Sequence, residues 1–188
     1  MSRTSSILFW VVLLATIIFL CTLPKWYLKN PGYKLESKMT ERLTQLGDSA
    51  LHTFDVPVAA VLLYNNNIIG EGYNTVNRDR QAGGHAEINA ISDAMRKTGV
   101  DSFMKLDRRQ LMLITTLEPC YMCRGAVVEY NIEHVVIVKP KSLYHWFKQW
   151  RKIEKYEWNK QAATTDSLQD VLFRKHPQFS KQNVKNDF

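Results

Sequence analysis

Two short stretches decide the reading of this 188-residue chain: His85-Ala86-Glu87 and, 32 residues after Glu87, Pro119-Cys120-Tyr121-Met122-Cys123. A hydrolytic zinc needs a few nitrogen or sulfur ligands and one position left open for water. One histidine and two cysteines make three ligands, and Glu87, two residues after the histidine, adds a carboxylate base. Pro119 lacks an N–H and is pre-set for a first helical position, so a helix is expected to begin at Pro119 or Cys120. Cys120 and Cys123 would then share one face of that helix, able to grip one ion, and its positive dipole end would favour their thiolates. Gly83-Gly84 breaks the chain just before His85, and HAEINAI opens a second helix with Ile88 and Ile91 spaced for an inner face. Two helix starts therefore converge on one metal.

Other uses of a C-x-x-C pair are a redox dithiol or half of a closed structural zinc site. The remaining cysteine, Cys21, lies in an apolar run that cannot reach the pair. A fourth histidine ligand among His52, His134, His145 and His176 stays open as a route to a closed site. Neither use accounts for Glu87.

Working outward, residues 57–64 (PVAAVLLY) form a near-continuous apolar run, as expected of a strand covered on both faces. Asn65-Asn66-Asn67 reads as a turn, because Asn tolerates left-handed backbone, and residues 68–74 return as the second strand of a hairpin. Before it, Leu43, Leu46, Ala50, Leu51 and Phe54 recur at helical spacing and predict one buried face over residues 39–54. A polar loop over residues 75–84 delivers the chain to His85, and a polar linker follows Gly99. Residues 111–116 read as a third strand leading into Glu118-Pro119-Cys120, and residues 134–139 as a fourth after the second metal helix. The order helix, hairpin, helix, strand, helix, strand implies an α/β fold with a mixed sheet and helices on both sides.

Residues 55–139 resemble the cytidine deaminase-like superfamily, on the stretches PVAAVLLYNNNIIGEGYN, HAEINAI and TTLEPCYMCRGAVV. Within it they are most similar to the branch of bacterial tRNA adenosine deaminases and guanine deaminases. The resemblance implies a three-layer α/β/α fold with a mixed sheet of about five strands. It implies Zn2+ held by His85, Cys120 and Cys123, proton transfer by Glu87, contact of Asn74 with the substrate base or sugar, and frequent dimers. Backbone near Ala86 and Pro119 would orient the ring. The expected reaction is zinc-dependent hydrolytic deamination of a nucleobase, nucleoside or nucleotide, with adenosine in a tRNA loop as the alternative. A reading from another class is a membrane-tethered, zinc-stabilised binding module without catalysis. Gln81-Ala82-Gly83 stands where this branch usually carries Asp-Pro-Thr.

The net charge of +7 is uneven: +4 over residues 1–38, −3 over 39–138, +5 over 139–160 and +1 in the tail. Three cysteines, two of them assigned to metal, leave no disulfide framework and favour a reducing environment. Residues 7–23 (ILFWVVLLATIIFLCTL) carry no charge and lie at the short end of a membrane-spanning helix, extended by Ser5 and Ser6. Trp26 and Tyr27 follow, and lysines are in excess after the run. The expectation is a transmembrane anchor over 5–23, a linker over 24–38, and a domain facing the cytoplasm. A cleaved signal peptide competes with that reading, although Ile18, Phe19 and Leu20 are bulky before Cys21.

The zinc domain is expected over 39–160, ending in a basic aromatic helix, with a C-terminal extension over 161–188. Leu143, Trp146, Phe147, Trp150, Ile153 and Tyr156 form an apolar stripe in that helix. It could pack on a core, lie on an anionic membrane surface, or meet RNA phosphates and stacked bases. The −3 balance of the middle of the chain offers no basic rim for tRNA, so a small substrate is the preferred expectation.

Overall fold

A computed structural model of the chain describes residues 3–22, 34–153 and 172. The elements are α1 (Arg3–Thr22), α2 (Ser37–His52), β1 (Ala59–Tyr64), β2 (Asn67–Tyr73), α3 (Val76–Asp79), α4 (Ala86–Thr98), α5 (Val100–Met104), a 3₁₀ turn (Arg108–Gln110), β3 (Leu111–Leu117), α6 (Tyr121–Glu129), β4 (His134–Lys139) and α7 (Leu143–Ile153). The chain divides into two compact units, Met1–Lys141 and Ser142–Phe188.

The sheet in the first unit has the order β2-β1-β3-β4. β1 pairs antiparallel with β2 and β3, and β4 runs parallel to β3. Strand periodicity separates the two faces of β1. Ala60 and Leu62 join a core with Ala86, Ala90, Ile91 and Ala94 of α4, while Ala59, Val61 and Leu63 join another with Leu43 and Leu46 of α2. Helices thus cover both faces, in three layers. The expected sheet of about five strands is corrected to four among the described residues. After β4 the described chain turns into α7 and supplies no further strand.

The hairpin closes as its asparagines require. Asn65 and Asn66 have φ of 51° and 63°, positive at both central residues, which matches the twist of the flanking strands. Two glycines on β2 bring α4 down onto the sheet. A Cβ on Gly72 would collide with the Ala86 carbonyl and the Ala90 amide nitrogen, and one on Gly70 would lie 2.7 Å from the Ala94 nitrogen.

Two expectations are overturned here. In α1 the first turn, Arg3-Thr4-Ser5-Ser6, is polar, and the apolar remainder, residues 7–22, rises only about 24 Å at 1.5 Å per residue. A hydrocarbon core is about 30 Å thick. Among the described residues no helix is long and apolar enough to cross a membrane, so the transmembrane anchor over 5–23 and the membrane as a partner are set aside. The apolar face expected over residues 39–54 also stops early: Leu43, Leu46 and Ala50 are buried, but α2 ends at His52, and Leu51 and Phe54 stand exposed.

The expected linker over 24–33, Tyr156 of the aromatic stripe, and the extension over 161–188 apart from Leu172 lie outside the described residues. In the second unit, Leu143, Tyr144 and Phe147 of α7 are exposed and Trp146 is half-buried.

Candidate active site

His85 is the N-cap of α4, extended at φ −80° and ψ 149°, and its carbonyl accepts the Asn89 N–H at 2.9 Å. The approach to it is braced by Asn89, whose Nδ2 donates to the Tyr73 carbonyl (2.8 Å) and to Thr75 Oγ1 (3.0 Å). Cys120 is likewise the N-cap of α6, which begins at Tyr121, just past the expected start at Pro119 or Cys120. The delay follows from the strand before it: the Glu118 N–H still donates to the Lys139 carbonyl (3.0 Å), so the β3–β4 pairing continues up to Pro119. Cys123, one turn in, is fully buried.

The three expected ligands meet. Cys120 Sγ lies 3.6 Å and Cys123 Sγ 3.5 Å from His85 Nδ1, and the two sulfurs are 3.7 Å apart. Zinc at about 2.3 Å from sulfur and 2.0–2.1 Å from nitrogen in tetrahedral array requires about 3.8 Å between sulfurs and about 3.6 Å between sulfur and nitrogen. The donor triangle therefore fits zinc in chemistry and in size. Among the described residues these three form the single group of His, Cys, Asp or Glu side chains close enough to share an ion. The close contact between the two sulfurs chiefly holds the Cys120 thiol far down, at about 4, and pushes the Cys123 thiol upward. Binding a metal would release the Cys123 proton.

Glu87 sits in the first turn of α4, 4% exposed, with Oε2 3.4 Å from Cys123 Sγ. Burial pushes its carboxyl above the usual carboxylate range.

A cavity of about 330 Å³ adjoins these residues, with His85, Glu87 and Cys120 in its lining together with Asn74, Ala86 and Glu118. Asn74 is fixed by its side-chain oxygen, which accepts the Val76 N–H at 3.1 Å. Pro119 is buried between two residues, Glu118 and Cys120, that do line the cavity. Glu118 carried no role in the sequence reading, yet its 2% exposed carboxylate binds Arg124 Nη2 at 2.7 Å and the Lys141 N–H at 2.6 Å. The available signal was an acid set directly before the proline that precedes Cys120. Asp55 was missed too: it accepts the Asn77 N–H (2.6 Å) and the Arg78 N–H (3.2 Å) across the cavity rim.

A histidine and two cysteines at converging helix starts, at the end of a mixed sheet, define a zinc-site α/β protein. The family profile described as "Cytidine and deoxycytidylate deaminase zinc-binding region" matches residues 34–139, and the chain belongs to that family. It is 36% identical over 93 residues to the tRNA-specific adenosine deaminase 2 of Xenopus laevis, covering 49% of this chain and 53% of the relative. It is 38% identical over 110 residues to the tRNA-specific adenosine deaminase of Buchnera aphidicola, covering 53% and 64%. The chain thus spans 53% and 64% of the lengths of these two relatives. The guanine deaminase structure from Bacillus subtilis aligns with a TM-score of 0.57 at 23% identity, over 74% of this chain and 92% of that one, which is a likeness of fold.

Proposed function

We propose that the chain is a zinc-dependent hydrolytic deaminase that replaces the exocyclic amine of a nucleobase-type ring by oxygen, with release of ammonia. The observation that carries this reading is the donor triangle of His85, Cys120 and Cys123, sized for zinc and flanked by the Glu87 carboxyl, with His85, Cys120 and Glu87 lining a cavity. Zinc held there supplies a Lewis acid that lowers the pKa of a water from 15.7 towards about 7. Glu87 accepts the proton released as oxygen attacks the ring carbon and delivers it to the adjacent ring nitrogen. It then carries a second proton to the departing amine, so that one water is consumed and one ammonia leaves. Asn74, its oxygen committed to Val76, has its amide nitrogen to offer to an acceptor on the base or sugar. Ala86 and the backbone around Pro119 form the walls that orient the ring. A binding module without catalysis would have no use for a buried acid beside the ligands.

Adenosine in a tRNA loop is a second reading, favoured by the relatives at 36% and 38% identity, both tRNA-specific adenosine deaminases. The test is ammonia release by the zinc-loaded full chain over a panel of bases, nucleosides, nucleotides and an RNA stem-loop with an unpaired adenosine. Glu87→Gln serves as the control. Release that depends on Glu87 supports the proposal; no release from any substrate ends it.

A further inference from the structure

We propose that Lys141 binds the phosphate of the substrate, so that the site takes a nucleoside monophosphate in preference to the bare nucleoside or base. This rests on the deaminase reading above and narrows its substrate class. Lys141 is half-buried and lines the same cavity as His85, Cys120 and Glu87. Among the described residues it is the one lysine or arginine in that lining.

Its place is fixed by the way β4 ends. The strand stops at Lys139 and Pro140 has no N–H, so the Lys141 amide is the first one past the strand that needs an acceptor. Glu118 Oε2 takes it at 2.6 Å. Glu118 is 2% exposed and is held in turn: its Oε1 accepts Arg124 Nη2 at 2.7 Å, and its N–H donates to the Lys139 carbonyl at 3.0 Å. The backbone of Lys141 is thereby pinned to a residue two positions before the zinc ligand Cys120.

The charges at this point favour an anion. Arg124, Lys139 and Lys141 gather at a single carboxylate, Glu118, although residues 39–138 as a whole carry −3. Of the acids that line the cavity, Asp55 is met by the Asn77 and Arg78 N–H groups and the Thr53 hydroxyl, Glu118 by Arg124, and Glu87 belongs to the chemistry. A neutral ring that loses its amine at the zinc ligands brings no negative charge of its own; the anionic part of such a substrate is its phosphate. Lysine, a compact charge on a flexible four-carbon stem, is a usual phosphate partner. The cavity of about 330 Å³ is at the lower end for drug-sized ligands, which suits a single nucleotide.

The experiment gives the zinc-loaded full chain adenosine, guanosine and cytidine, each as nucleoside and as 5′-monophosphate, and an RNA stem-loop with an unpaired adenosine. Wild type should act on the monophosphate of its preferred base with the higher kcat/KM. In Lys141→Met the ratio of kcat/KM for monophosphate to that for nucleoside should fall about 5- to 10-fold, through KM, between the contributions of an exposed ion pair and of a hydrogen bond to a charged group. Lys141→Arg should keep most of the ratio. Lys141→Met should melt with wild type and hold as much zinc, because the amide that Glu118 accepts is retained. A second readout needs no turnover: in calorimetry on the Glu87→Gln chain, adding Lys141→Met should weaken monophosphate binding by the same factor. Wild type that prefers the nucleoside, or a ratio unchanged in Lys141→Met, overturns the phosphate role and leaves the deaminase reading standing. A fall confined to the stem-loop overturns it too and gives the lysine to an RNA backbone. Turnover of nothing ends the deaminase reading; calorimetry then decides alone, and a monophosphate bound no tighter than its nucleoside overturns this proposal as well.

Discussion

Replacing Gly72 by alanine should disturb the metal site from the strand on which α4 is seated. The added Cβ would meet the carbonyl of Ala86 and the amide nitrogen of Ala90, and would come within 2.8 Å of Asn89 Cβ. The first two are backbone atoms of α4 and cannot rotate away, so the helix itself must lift. Overpacking of this kind costs about 1–3 kcal/mol, and collision with backbone puts Gly72→Ala at the upper end. For a chain of this size that is a fall in melting temperature of about 6–12 °C. Gly70→Ala presses on the same helix one turn later, near Ala90 and Ala94, and should cost a similar amount. The two variants part company at the site. Gly72 lies under the turn that begins at His85 and contains Glu87, so its variant should also bind zinc more weakly in competition with a chelator, whereas Gly70→Ala should hold zinc nearly as wild type does. Thermal melts with and without chelator measure both quantities. If Gly72→Ala lost less than about 0.5 kcal/mol, or lost stability with zinc affinity intact, the seating of α4 on β2 could not be what positions His85.

Glu87→Gln should retain one zinc per chain by metal analysis while turnover falls about 10²- to 10⁴-fold, the usual contribution of a general acid–base group. Cys123→Ser should abolish zinc binding at micromolar metal, and a chelator added to wild type should lower its melting temperature as well as its activity, because bound metal stabilises only the folded site. Glu71 takes a bidentate pair from Arg42 (2.6 and 2.7 Å), whose hydrogen bond holds its carboxyl below the usual range. A depressed folded pKa means stability that is full above about 4.3 and lost as pH falls through the folded value. Arg42→Met should therefore flatten that acid limb in urea melts, by less than about 1 kcal/mol because Arg42 is well exposed.

The parts of the site that lie within one turn of chain were legible. His85 and Glu87 are neighbours on one helix start, Cys120 and Cys123 on another, and local periodicity with the Gly and Pro signals was enough to place each pair. The meeting of the two pairs followed from the chemistry of zinc rather than from any pattern between them. The hairpin was equally local, because Asn65-Asn66 adopts the backbone that its residue type tolerates. What escaped was decided by termini and by contacts distant in sequence. Phe54 continues the helical spacing of Leu43, Leu46 and Ala50, so periodicity alone assigned it to the core; the helix stops two residues earlier and turns it outward. The hydropathy of residues 7–23 was read in the same way, as composition without element ends, and the polar first turn of α1 shortens the run below the thickness of a bilayer.

Glu118 is the most instructive case. An acid before Pro119 reads as a loop residue, since nothing nearby in sequence tells that Lys141 will return beside it after a whole helix and strand. The parallel pairing of β3 with β4 brings that return about, and it also sets the end of β3 that leads into Cys120. The same long-range pairing that buries this carboxylate thus fixes where two of the three zinc ligands begin. Glu118→Gln should therefore loosen Arg124 and the start of α6 together, and a loss of zinc affinity alongside the loss of stability would separate this coupling from a simple ion-pair effect.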